Sequence, residues 1–180
     1  MTDIDDLSVQ LLEQAKRFLE RAKSEPDQDG QSAYCNAALL LGFCALEAHL
    51  NAVAEELTLR KGLGVLDQSI LSERDFSLDA GRFVVTKKLK IYRLEDRLSH
   101  IFATFTSSNV LSAHSWWGNL KVGLELRNRL VHAKSGLRID EGAVARSLRA
   151  ILDCLDDLYR GVYRRRYPAH NRGLDSTLRF

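Results

Sequence analysis

Residues 38–57 read ALLLGFCALEAHLNAVAEEL. Apolar residues occupy almost every angular position from Cys35 to Ala54, with Glu47 and Asn51 as polar exceptions one helical turn apart. A helix that is apolar nearly all round is covered on several sides, so this stretch predicts the central helix of an all-α fold, spanning about residues 31–60. Its most apolar run, Ala37 to Ala48, is shorter than a bilayer span requires.

Working outward, Ile4, Leu7, Leu11, Leu12, Ala15, Phe18, Leu19 and Ala22 recur at helical spacing and predict an amphipathic helix over residues 4–24. The break before the central helix is SEPDQDG. KGLG ends the central helix. Residues 62–105 then read as an insertion. It comprises a short helix in VLDQSILSERDF, an extended segment or small hairpin in RFVVTKKLKIY, and a helix from Leu94 to Phe105. TSSNVLS reads as a loop. A helix from about Ser115 to Lys134 follows, with Gly136 placed to stop it. The last long helix starts near Asp140 and Glu141, whose charges suit a helix N-terminus. It carries the stripe Val144, Leu148, Ile151, Leu152, Leu155, Leu158 and Val162. The expected fold is a single all-α domain over residues 1–180. It is an antiparallel bundle of four to five helices, with the elaborated insertion between the second and third core helices.

The 180 residues suffice for a core without disulfides or metal, and the two prolines, Pro26 and Pro168, leave long helices uninterrupted. Cys35, Cys44 and Cys154 lack paired spacing and read as reduced thiols. The acidic N-terminus MTDIDDLSVQ lacks a signal-peptide pattern, so a soluble cytoplasmic protein without a membrane partner is expected. The formal charge is only +2, but it is polarised. Residues 1–30 carry eight acids against four bases, whereas residues 160–180 carry six arginines against Asp175 alone. The basic tail, about residues 164–180, therefore admits an anionic partner. Tyr159, Tyr163 and Tyr167 alternate there with Arg160, Arg164, Arg165 and Arg166, a pattern that can hold phosphates and stack bases. The competing reading is a cation-rich helix end whose tyrosines pack on a neighbour.

Several chemistries are unsupported. KGLG lacks the ending of a phosphate-binding loop, and no serine-hydrolase nucleophile elbow occurs. His49, His100, His114 and His170 lack acids or thiols at metal-ligand spacing, so no metal or cofactor is expected. Trp116 and Trp117 read as core or interface anchors.

The remaining candidate is ELRNRLVHAK, residues 125–134. Cations before Gly136 suit a helix C-terminus, which explains Arg127, Arg129, His132 and Lys134 as a purely structural ending. The same residues suit RNA cleavage. Histidine titrates near neutrality and can exchange protons, arginine grips phosphate oxygens, and Asn128 can orient either. At about 100° per residue Asn128 and His132 share a face, while Arg127 lies about 140° from His132. A second copy of the helix could bring the two together.

Arg127, the polar Asn128 and His132 after four intervening residues, preceded by the helix at 38–57, resemble the signature of the HEPN superfamily of helical domains. The resemblance covers about residues 4–60 and 113–163. It implies a homodimer whose paired motifs form a metal-independent endoribonuclease, in many members a toxin or phage-defence effector, with an antitoxin or other protein as a further partner. It equally admits a non-catalytic module that binds RNA or protein. Arg127, Asn128 and His132 would be the catalytic residues, and Glu47 and Asn51 would support Arg127 or Asn128 from the central helix. One toxin branch carries a tyrosine two residues after the histidine. This chain has Lys134, so regulation through that tyrosine is not expected.

Overall fold

The computed structural model describes residues 3–106, 108, 110–132 and 136–180, with side chains from Asp6 onward. It is all-α, with one small hairpin. The α-helices are α1 (Asp3–Ser24), α2 (Gln28–Thr58), α3 (Val65–Ser72), α4 (Leu94–Phe105), α5 (Trp117–Val131) and α6 (Glu141–Tyr163). Strands β1 (Arg74–Asp79) and β2 (Arg82–Leu89) pair antiparallel, Ser77 opposite Val84.

Helices α1 and α2 fold back on one another through a turn of three residues that contains Pro26. Asp27 caps α2, its carboxylate accepting the Gly30 N–H at 2.7 Å, and so satisfies one of the free donors of a helix start. Leu12, Ala15, Leu19 and Ala22 of α1 bury against α2. Helices α4, α5 and α6 cover other sides of α2, which is why its sequence is apolar nearly all round. By length and composition α2 could cross a bilayer, contrary to the shorter apolar run read from sequence. Within its most apolar window, however, 61% is buried inside the fold.

Helix α6 packs the stripe Val144, Leu148, Ile151, Leu152, Leu155 and Leu158 into the same core. Asp140 caps it, accepting the Ala143 N–H at 2.9 Å. Leu148 sits so close to Gly42 that a Cβ there would lie 2.3 Å from Leu148 Cδ2. Gly42 is thus a contact point where only glycine lets a side chain reach the backbone of α2.

The region at 62–105 divides into two unlike halves. The hairpin leaves Leu78, Phe83 and Leu89 exposed. Helix α4 instead inserts Leu98, Ile101 and Phe102 into the main core. The helix expected at Leu94 to Phe105 is α4, and it belongs to the main core. Its apolar stripe covers α2 and α6 and would be costly to expose.

After α6 the chain turns at Arg164, whose φ of 58° is left-handed, and buries Tyr167. Residues 172–180 return to α1. Arg172 donates to Glu13 Oε1 at 2.8 Å, Thr177 N–H and hydroxyl donate to Glu13 Oε2, and Phe180 packs edge-on against Phe18. The acidic start and basic end of the sequence meet in this contact. Burial alone would raise the pKa of Glu13. The Thr177 N–H, Arg172, the Thr177 hydroxyl and Lys16 overcome it and hold the carboxyl down to about 2.

Candidate functional site

Arg127 is positioned by close helix packing. At Gly123, one turn earlier on α5, a Cβ would meet Ser147 Oγ of α6 at 2.5 Å and Phe43 Cζ of α2 at 3.2 Å. Glycine there draws α5 onto both neighbours. Arg127 consequently lies over the next turn of α2, with its guanidinium 5.7 Å from the Phe43 ring centroid. Its Nη2 donates to Glu47 Oε1 at 2.5 Å. Both side chains are part-exposed, the guanidinium more covered than the carboxylate. Arg127 Nε is buried and has no hydrogen-bond partner among the described residues.

Cys44 borders this pair. Burial, then the Glu47 carboxylate, push its thiol pKa up, while Arg127 acts in the opposite direction.

Asn128 and His132 are exposed. His132 is the residue at which α5 ends: its N–H reaches Asn128 O at 3.0 Å, and its φ of −112° and ψ of 38° leave helical geometry. The expected continuation through Lys134 lies outside the described residues. Among the described residues no hydrogen bond joins Arg127, Asn128 and His132 through their side chains. One chain thus supplies a fixed arginine and, five residues on, an exposed imidazole that does not touch it.

The polar pair on α2 is split between two helices. Glu47 takes Arg127, but Asn51 Oδ1 accepts from Arg97 Nη1 of α4 at 2.7 Å, and Arg97 also meets Glu73 at 3.2 Å. Asn51 therefore supports the buried Arg97, a correction to its expected association with Arg127 or Asn128. Sequence reasoning missed Arg97. The signal was a buried-face arginine in the stripe Leu94, Leu98 and Ile101.

The basic helix end differs from a free phosphate-binding ladder. Arg160 Nε donates to Asp156 at 2.8 Å and Arg166 Nε lies 3.6 Å from the same carboxyl group. Burial acts to raise the pKa of Asp156, but Arg160 and the Tyr167 N–H prevail and lower it. Arg165 lies over the Tyr163 ring, and Arg164 is exposed. Tyr167 is buried, its hydroxyl 2.9 Å from His49 Nε2. Tyr167 therefore cannot stack on a base, and the packing alternative describes it better.

Together the fold and this geometry define an all-α protein with a carboxylate-anchored arginine near an exposed helix end. Comparison with protein-family models, with curated proteins and with solved structures returns no match.

Proposed function

We propose that the chain is a HEPN-like helical bundle acting as a metal-independent endoribonuclease. In this reading two copies pair through α5. A ribose 2′-hydroxyl attacks the adjacent phosphorus, forming a 2′,3′-cyclic phosphate and releasing a 5′-hydroxyl. His132 accepts the nucleophile's proton, and His132 of the second copy protonates the leaving oxygen. Arg127 stabilises the charge that develops on the phosphate oxygens, and Asn128 orients the imidazole.

The observation that carries the reading is Arg127 held by Glu47 five residues before an exposed His132. An arginine fixed in advance loses less rotamer freedom when it binds phosphate. Val131, exposed on the last turn of α5 beside His132, offers apolar contact for a second copy. Arg164 and Arg165, less committed to carboxylates than Arg160 and Arg166, suit contacts to the RNA backbone. A cytoplasmic toxin or phage-defence role, with an antitoxin or other protein partner, follows from the resemblance.

One observation favours the alternative, a non-catalytic module that binds RNA or protein. The Glu47 carboxylate offsets the Arg127 charge and so weakens its pull on phosphate. Mass measurement by sedimentation, with end-group analysis of RNA incubated in EDTA, separates the two. The nuclease reading expects a dimer and cyclic phosphate ends. RNA retained intact, with salt-sensitive affinity, supports the module instead.

A further inference from the structure

Ser108 and His114, which precede α5, line up with Asp157 of α6, and the nuclease reading assigns none of the three. Ser108 Oγ lies 2.7 Å from His114 Nε2, and His114 Nδ1 lies 2.7 Å from Asp157 Oδ2 of α6. Trp116 Nε1 donates to the same Asp157 oxygen at 2.7 Å. A neutral imidazole that donates from Nδ1 to this carboxylate has Nε2 free to accept from the Ser108 hydroxyl. The imidazole packs in a cluster of three rings, its centroid 5.2 Å from that of Phe102 and 5.0 Å from that of Trp116, which lie 5.7 Å from each other.

The serine is also anchored. A Cβ at Gly161 would meet Thr106 Cγ2 at 2.5 Å, so this glycine of α6 seats Thr106. Thr106 Oγ1 donates to Phe102 O at 2.7 Å and accepts the Ser108 N–H at 3.1 Å. Ser108, His114 and Asp157 line an open pocket of about 290 Å³, together with Arg160 and Arg164. Arg160 is committed to Asp156, whereas the Arg164 side chain forms no ion pair among the described residues.

We propose that Ser108, His114 and Asp157 form a nucleophilic relay that hydrolyses small esters whose acyl group carries an anionic substituent. Ser108 Oγ bonds to the ester carbonyl carbon while His114 Nε2 takes its proton, and Asp157 stabilises the imidazolium. The carbon–oxygen bond to the alcohol then breaks, and His114 returns the proton to that alcohol. In the second half water, deprotonated by His114, bonds to the acyl carbon, the bond from that carbon to Ser108 Oγ breaks, and His114 returns the proton to Oγ as the acid leaves. Arg164 binds the anionic substituent. The strand-to-helix elbow common in serine hydrolases is not needed, because Thr106, seated on Gly161, holds Ser108 through its N–H.

The full chain is treated with a fluorophosphonate, whose phosphorus bonds to Ser108 Oγ as fluoride leaves, and the adduct is mapped by mass spectrometry. The relay requires labelling at Ser108, absent in Ser108→Ala and slowed at least about 100-fold in His114→Gln. Asp157→Asn gives a second, milder test should His114→Gln fail to fold. Far-UV circular dichroism and the thermal unfolding midpoint report folding in each variant. Hydrolysis of 4-nitrophenyl acetate is compared with that of the 4-nitrophenyl monoester of succinate. Arg164→Ala should raise KM about 10-fold for the succinate ester alone. Labelling elsewhere, or at Ser108 undiminished in both relay variants, overturns the relay. An equal effect of Arg164→Ala on both esters overturns the assigned substrate class.

Discussion

The Arg127 guanidinium and the Glu47 carboxylate meet at 2.5 Å, joining α5 to the central helix α2. This contact connects sequence to proposed function, since it holds the arginine while Asn128 and His132 remain exposed. Both groups retain solvent contact, so the pair contributes only about 0.5–1 kcal/mol to stability. Glu47→Gln should therefore lower the midpoint of thermal unfolding by only a few degrees. If Glu47 positions Arg127 for cleavage, the same variant should slow RNA turnover about 10-fold or more. Scanning calorimetry and a cleavage assay on one preparation read both effects.

Cys44 serves as a reporter of the pair. Glu47 raises its pKa and Arg127 opposes that effect, so Glu47→Gln should accelerate alkylation by iodoacetamide near pH 8 and Arg127→Ala should slow it. Equal rates in the two variants would show that the thiol does not sense these charges.

Gly123→Ala tests the packing that brings Arg127 over α2. The added methyl meets Ser147 Oγ at 2.5 Å and Ser147 Cβ at 2.8 Å, and α5 must shift. A loss of about 1–3 kcal/mol in denaturant unfolding is expected. Pairing it with Ser147→Gly, which removes those atoms, should recover most of that loss.

Glu13 sets an acid limit on the fold. Its carboxyl lies at about 2 when folded, against an ordinary 4.5. A depressed folded pKa contributes stability above the unfolded value and loses it as pH falls toward the folded one. This gives roughly 3 kcal/mol at neutral pH that fades between about pH 4.5 and 2. Glu13→Gln should lower stability at pH 7 and flatten its dependence on pH across that window, as followed by urea unfolding at several pH values.

The all-α class was legible because α2 has no polar face and α6 has a sharp one, both direct consequences of burial at helical period. Residues 94–105 were legible as a helix, but their membership of the core was not. A stripe such as Leu98, Ile101 and Phe102 tells that something is covered without telling what covers it. Glu47 stood out as a polar group on an apolar helix, and its partner on α5 was within the expected set. Asn51 looked equivalent, but Arg97, 46 positions away, takes it. The alignment of Ser108, His114 and Asp157 was invisible for the same reason: His114 and Asp157 are 43 positions apart and meet only through tertiary packing.

The central claim, cleavage by His132 with Arg127, is tested most directly by the rate of RNA cleavage in EDTA for the parent chain, His132→Ala and Arg127→Ala. The account predicts metal-free cleavage by the parent chain and a loss of about 100-fold or more in each variant, with folding intact by circular dichroism. Cleavage at the parent rate in both variants, or none by the parent chain, would contradict it.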